Sequence, residues 1–174
     1  MPETTPDNSL PRSPLRRSLD LLSDLAIGIA AAALLALVVV QGWQVIARYV
    51  LNDSPSWTEP VTLLLLSTAM SMGAAAGVHT KRHFGFYLLA NSVGATTQRV
   101  LQAIPPLVIV AIGATIAWWG WTLLVDGFDI PAAGANLPQS INYLPLSIGG
   151  GLMVVFALLQ LDEAVRAPAP AGAP

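Results

Sequence analysis

The sequence predicts an all-α integral membrane protein with four transmembrane helices and two short amphipathic interfacial helices, one N-terminal and one central. Of the 174 residues, 54% are apolar and 10% are charged, and the mean hydropathy is +0.62. A soluble domain carries roughly a quarter charged residues. Together with a net charge of −2, this composition excludes a water-soluble enzyme and a nucleic-acid-binding protein.

Four charge-free windows, each between 18 and 26 residues long, match the length that a helix needs to cross a hydrocarbon core of about 30 Å. The windows cover residues 25–46, 61–78, 100–125 and 141–161. From them we predict spans at about 25–46, 58–78, 101–125 and 141–161. Pro105, Pro106 and Pro145 lie near span starts, where the backbone N–H groups are unpaired anyway. A start of the third helix near Pro105 therefore stays open.

The flanking segments divide into tails and short helices. Residues 1–12 are predicted to be a disordered cytoplasmic tail and 162–174 an Ala/Pro-rich cytoplasmic tail, with one membrane domain over 13–161 between them. Ser13-Pro14 is typical of a helix start, and leucines recur at helical spacing after it. We therefore predict a short amphipathic helix whose arginines meet anionic membrane lipids. A solvated lead-in to the first span is the alternative.

A second short helix is predicted between spans two and three. Residues 84–97 carry no charge but are too short to cross a bilayer. Phe86, Leu89, Ala90 and Val93 share one helical face, which indicates an interfacial helix. A re-entrant segment is the alternative.

The basic residues predict the orientation. Seven of the eight Lys and Arg residues fall on one side of the four spans, and only Arg48 falls on the other. The seven are Arg12, Arg16, Arg17, Lys81, Arg82, Arg99 and Arg166. The positive-inside rule places them in the cytoplasm together with both termini. The five tryptophans all fall toward the opposite side, as expected for amphipathic indoles at a membrane boundary.

Candidate chemistry within the spans is sparse. No cysteine is present, and no window contains a charged residue or histidine. Solute pathways usually use intramembrane charges or broken helices, so an autonomous carrier is disfavoured. His79 and His83 are four residues apart, but no acidic or Cys ligand stands near them in sequence. We therefore predict no metal, no haem and no other cofactor.

Two features predict helix contacts. Gly73 and Gly77 form a G-x-x-x-G motif, which allows close helix approach in lipid, either within the chain or against a partner. The glycines at 149–151 are equally open to both interpretations. Arg48 and Glu59 flank the first connection on the same side, and we hypothesise that they pair.

Several short motifs resemble the small membrane subunit (DctQ-like) of tripartite ATP-independent periplasmic (TRAP) transporters. They are R-Y-V-L-N from Arg48 to Asn52, W-T-E from Trp57 to Glu59, the small-residue run from Gly73 to Gly77, His83 before an apolar segment, and the Pro138 and Pro145 region with its glycines. The resemblance covers residues 46–90 well and 137–155 loosely. Pro60 and Tyr87 stand where the family has acidic residues, so a polar role of those positions does not carry over.

The resemblance implies one part of a three-part importer in the bacterial inner membrane. A periplasmic binding protein would deliver an organic acid or similar solute to a large permease subunit, coupled to an ion that we expect to be sodium. The small subunit would scaffold and anchor that permease, and Arg48, Asn52, Trp57, Glu59 and His83 would fix helix connections or the subunit contact. It would not be an enzyme. The alternative is an assembly or anchor subunit of another inner-membrane complex.

Overall fold

The described residues form four long helices. The structure, a computed structural model, describes residues 14–53, 55–80, 95–134 and 138–166. The helices are α1 (Pro14–Tyr49), α2 (Thr58–His79), α3 (Ala95–Asp126) and α4 (Leu144–Arg166), and a 3₁₀ helix (Gln139–Tyr143) leads into α4. Each of the four helices is long and apolar enough to cross a membrane, which confirms the predicted all-α class and the four spans.

The helices pack as a row in the order α1, α2, α4, α3. Helices α2 and α4 are the inner pair and run parallel, since both follow a connection at the same end of the bundle. Helices α1 and α3 contact mainly one neighbour each. Only 17% of the most apolar window of α1 and 11% of that of α3 are buried, against 33% for α2 and 28% for α4. The outer helices therefore leave most of their apolar surface uncovered.

Helix α1 contacts α2 along one narrow line of small residues. The buried positions of α1 are Ser23, Ala26, Ala30, Ala33 and Ala47. The first four are three, four and three residues apart, and Ala47 follows fourteen residues later, which is the heptad spacing of left-handed helix pairs. Ala26 and Ala30 pack against Met72 and Ala76 of α2. Alanine at these positions lets the backbones approach closely, which is how helices associate in lipid.

Helix α3 uses glycines seven residues apart to contact α4 and the 3₁₀ helix. A Cβ on Gly113 would lie 3.1 Å from the Gly150 carbonyl oxygen, and a Cβ on Gly120 would lie 2.9 Å from Ser147 Oγ. Gly127 faces the backbone of Ser140 in the same way. Because 3.5 residues per turn keep every seventh residue on one face, the three glycines form a single smooth strip.

The inner pair is the most closely packed. A Cβ on Gly149 would lie 2.6 Å from Ser71 Cβ and 2.9 Å from the Ser71 backbone. Further along, Phe156 and Ala157 pack with Ala75 and Val78 in one buried cluster. The α2–α4 contact thus combines backbone approach at one level with aromatic packing at the other.

The predicted short helices need correction. The described residues contain no separate N-terminal helix, because α1 is continuous from Pro14 to Tyr49. No proline or glycine interrupts residues 15–27, and Leu19 packs onto the Phe156 cluster, so this segment is attached to the bundle. Most of the predicted central helix, 84–97, lies outside the described residues.

The third helix does not begin near Pro105. It begins at Ala95, and both prolines lie inside it. A proline removes one backbone hydrogen bond, but membrane helices tolerate this where neighbouring structure compensates. Pro106 is buried in the bundle.

Alanine substitutions at Gly149 and at Gly151 should have different effects on the stability of the fold. Gly149→Ala inserts a methyl group against the Ser71 backbone, which should destabilise the fold by about 1–3 kcal/mol. Gly151 is two residues further on with nothing within 4 Å of a Cβ, so Gly151→Ala should be neutral or stabilising by up to about 1 kcal/mol through helix propensity. Thermal unfolding in detergent measures both. Equal midpoints would contradict the close approach.

Candidate subunit-contact site

Two connections meet at one end of the bundle, which we call the loop end: residues 50–57 between α1 and α2, and residues 127–143 between α3 and α4. Ser56 Oγ donates a hydrogen bond to the Gly134 carbonyl oxygen at 2.9 Å. Gly134 has φ +82°, and a Cβ there would lie 2.5 Å from the Ser56 carbonyl oxygen. Glycine is required on both counts, and this contact joins the two connections.

Four of the predicted site residues come together at the loop end. Arg48 lies in the last turn of α1, Glu59 in the first turn of α2, and Trp57 directly before α2. Asn52 lies between them with φ 53°, a left-handed conformation that Asn tolerates better than most residues. All four side chains are exposed.

The hypothesised ion pair between Arg48 and Glu59 is not formed in the described part of the chain. Both residues are exposed, and the connection after α1 is closed by backbone hydrogen bonds instead. Val50 N–H donates to the Ile46 carbonyl at 2.8 Å, and Asp53 N–H donates to the Ala47 carbonyl at 3.1 Å. An exposed ion pair gains little free energy, so the absence of this pair among the described residues costs the fold little.

The two predicted prolines shape the second connection. Pro138 forms an isolated antiparallel bridge with Pro131, and the next residue, Gln139, donates its backbone N–H to the Ile130 carbonyl at 2.8 Å. Pro145 is buried in the first turn of α4, where its missing N–H leaves no bond unmade. Both prolines therefore lie at the loop end with the four residues above.

Gly73, the first glycine of the G-x-x-x-G motif, makes no tight contact with the part of the chain that the structure describes. Gly73 is exposed, and the atom nearest to a Cβ there is Ala30 Cβ at 4.0 Å. The close approaches between described helices occur instead at Gly149 and Gly150 of α4 and at Gly113 and Gly120 of α3. The seven-residue spacing of Gly113 and Gly120 is the sequence signal that predicts that surface. His83 lies outside the described residues.

A polar contact that the sequence analysis missed lies at the opposite end, where α1 begins and α2 and α4 end. His79 Nε2 is 2.9 Å from Asp20 Oδ1, and the His79 ring lies 4.8 Å from that of Phe156. Gln160 Nε2 donates to the Val78 carbonyl oxygen beside it. The histidine and the aspartate are 59 residues apart in sequence, so no local spacing reveals the contact. The contact between His79 and Asp20 joins α1 to α2 next to Phe156 of α4.

With the fold and both ends described, comparison with known proteins identifies the chain. A family model described as tripartite ATP-independent periplasmic transporters, DctQ component, matches residues 37–167, which is 131 of the 174 residues. The chain belongs to the DctQ family. A search of curated proteins found no match. The resemblance to the small TRAP subunit is thereby confirmed.

The DctQ match covers most of the bundle but not all of α1. It begins at residue 37 and includes both connections of the loop end, α2, α3 and α4. Asp20 lies outside it, whereas His79 lies inside. The contact between them is therefore a property of this chain that the match itself does not describe.

A double-mutant cycle should detect the contact between Asp20 and His79. Because the Asp20 side chain is 39% exposed, we expect a coupling free energy of only about 0.5–1 kcal/mol between Asp20→Ala and His79→Ala. Asp24 lies one turn further along α1 and is exposed. Asp24→Ala combined with His79→Ala should be additive. Unfolding free energies in detergent measure both cycles, and additivity in the first would rule out a stabilising contact.

Proposed function

We propose that this DctQ-family chain is the small membrane subunit that scaffolds and anchors the large permease subunit of a TRAP transporter. The complex would take up an organic acid or similar solute that a periplasmic binding protein delivers, with sodium as the coupling ion. The chain would lie in the bacterial inner membrane with both termini in the cytoplasm. Its residues Arg48, Asn52, Trp57, Glu59, Pro138 and Pro145 would shape the subunit contact.

The main support for this proposal is the uncovered apolar surface of the outer helices. Helix α1 has 36 residues, which is about 54 Å of helix, yet its buried residues are only Ser23 and four alanines on one face. The rest of its apolar surface is exposed, including Leu35, Val38 and Val39. A subunit whose task is to enlarge and hold a membrane complex needs such surface, whereas a self-contained carrier buries its helices around a pathway.

The distribution of ionisable groups also supports a scaffold. Among the described residues, charged side chains and histidine lie at helix ends and in connections, as with Asp20, Arg48, Glu59 and His79. The spans between them contain none. Transport sites in membrane proteins depend on such groups or on broken helices at mid-depth. The solute and ion sites are therefore assigned to the large permease.

Copurification tests the proposed role. A tagged chain, extracted from native membranes in mild detergent, should bring down a large permease in stoichiometric amount, and reconstitution of the chain alone should give no solute uptake. Recovery of subunits of an unrelated inner-membrane complex would favour the alternative anchor role. Recovery of the chain by itself, or specific uptake by the chain alone in liposomes, would contradict the proposal.

Cysteine labelling tests the orientation directly, because the sequence has no cysteine to remove. Ala133→Cys places a thiol in the exposed α3–α4 connection, and Ser9→Cys places one in the N-terminal tail. A membrane-impermeant maleimide should label the first from the periplasmic side and the second only after the inner membrane is permeabilised. The reverse pattern would contradict the positive-inside orientation.

A further inference from the structure

A hydrogen bond between α1 and α2 aligns two rows of side chains. Gln41 Nε2 donates to Thr62 Oγ1 at 3.2 Å. On a helix, residues three, four and seven apart share a face. Gln44 and Arg48 therefore continue the α1 row from Gln41 toward the loop end. Since the helices are antiparallel, Glu59 continues the α2 row from Thr62 in the same direction.

The α2 row continues away from the loop end as an exposed stripe. Its members recur at helical spacing, and all are exposed although α2 is an inner helix: Glu59, Leu63, Leu66, Met70 and Gly73. Together with Gln44 and Arg48 they form one surface, which we call the α1/α2 face. It presents polar groups near the loop end and an apolar strip below them.

The polar part of this face lacks partners within the described residues. Gln44 lies inside the charge-free window of α1, is half-buried, and makes no hydrogen bond there. Lipid tails offer no donor or acceptor, so a Gln44 amide covered by lipid would be left without a hydrogen bond. Arg48 and Glu59, of opposite charge, are both exposed and unpaired in the same part of the chain. The face therefore has unmet hydrogen-bonding and ionic capacity.

The threonine hydroxyls on the exposed face of α3 already have acceptors. On α3, Thr115 Oγ1 donates to the Ala111 carbonyl at 2.8 Å, and Thr122 Oγ1 donates to the Trp118 carbonyl at 3.0 Å. Both hydroxyls are thus satisfied within their own helix. The exposed positions within the membrane part of α4 are apolar, and include Leu144, Ile148, Val155 and Leu158. These surfaces suit lipid as they stand.

We propose that the α1/α2 face is the surface that binds the large permease subunit. A helix of that subunit would lie along Leu63, Leu66 and Met70, where Gly73 permits close approach. It would present a hydrogen-bonding side chain or carbonyl to Gln44 and charged groups to Arg48 and Glu59. This inference rests on the proposed function, because it takes the large permease as the partner, and it adds which face is used.

Site-specific photocrosslinking tests the choice of face. Benzoylphenylalanine placed at Leu63 or Leu66 should give an adduct with the large permease in native membranes, and the same residue at Leu107 or Ile112 on the outer side of α3 should not. Permease adducts from α3, with none from α2, would overturn this inference while leaving the proposed function intact. Absence of any permease on copurification with the unmodified chain would overturn both.

Substitution of Gln44 gives a second readout. Gln44→Leu removes the hydrogen bond to the partner and should lower the copurified permease about three- to tenfold, the range expected for one interhelical polar contact in a membrane. The thermal midpoint of the isolated chain should not fall, because Gln44 is unpartnered there. Thr115→Val on α3 is the matched control and should copurify the permease normally. Undiminished recovery of the permease with Gln44→Leu would show that Gln44 is not part of the contact. In the crosslinking experiment, adducts with lipid alone at positions 63 and 66 would overturn the proposal that the α1/α2 face binds the permease.

Discussion

The fold depends on close backbone approach between helices, because lipid removes the usual reason for apolar side chains to associate. Gly149 meets the Ser71 backbone, and Gly113 meets that of Gly150, at distances that admit no Cβ without displacement. At such contacts the helices gain dispersion energy and weak polar contacts that lipid tails cannot supply equally well. The small residues thus determine which helices become neighbours, and the row order α1, α2, α4, α3 follows from where they lie.

The row order in turn explains why the outer helices leave most of their apolar surface uncovered. A helix that packs through one narrow strip of small residues takes one close neighbour, and α1 and α3 each pack through one such strip. Their remaining surface is apolar and uncovered. For a soluble protein this would promote aggregation. In a membrane it is stable, and the same surface is free to accept either lipid or another subunit, which suits a DctQ-family component of a larger transporter.

Much of this could be predicted from the sequence, and the exceptions have physical causes. The spans follow from charge-free windows because hydrocarbon imposes one length and one composition on every crossing helix. The contact between His79 and Asp20 could not be predicted, since it depends on how α1 and α2 pack. Gly73 was a natural candidate for tight packing, yet the structure uses Gly149 and the α3 glycines. Small residues indicate that a close approach is allowed, and the neighbouring helix decides whether it occurs.

Polar side chains reveal a difference between the exposed surfaces of α1 and α3 that their small residues do not reveal. Thr115 and Gln44 both project from outer helices within apolar windows, but only a short hydroxyl can satisfy itself on the preceding turn of its own helix. Thr115 does so, and lipid can cover it without penalty. The longer Gln44 amide makes no bond to its own helix among the described residues, so a partner with a matching group would stabilise the face that carries it. The reach of a side chain relative to its own backbone is therefore the physical basis of our proposal that the subunit binds the α1/α2 face and not α3.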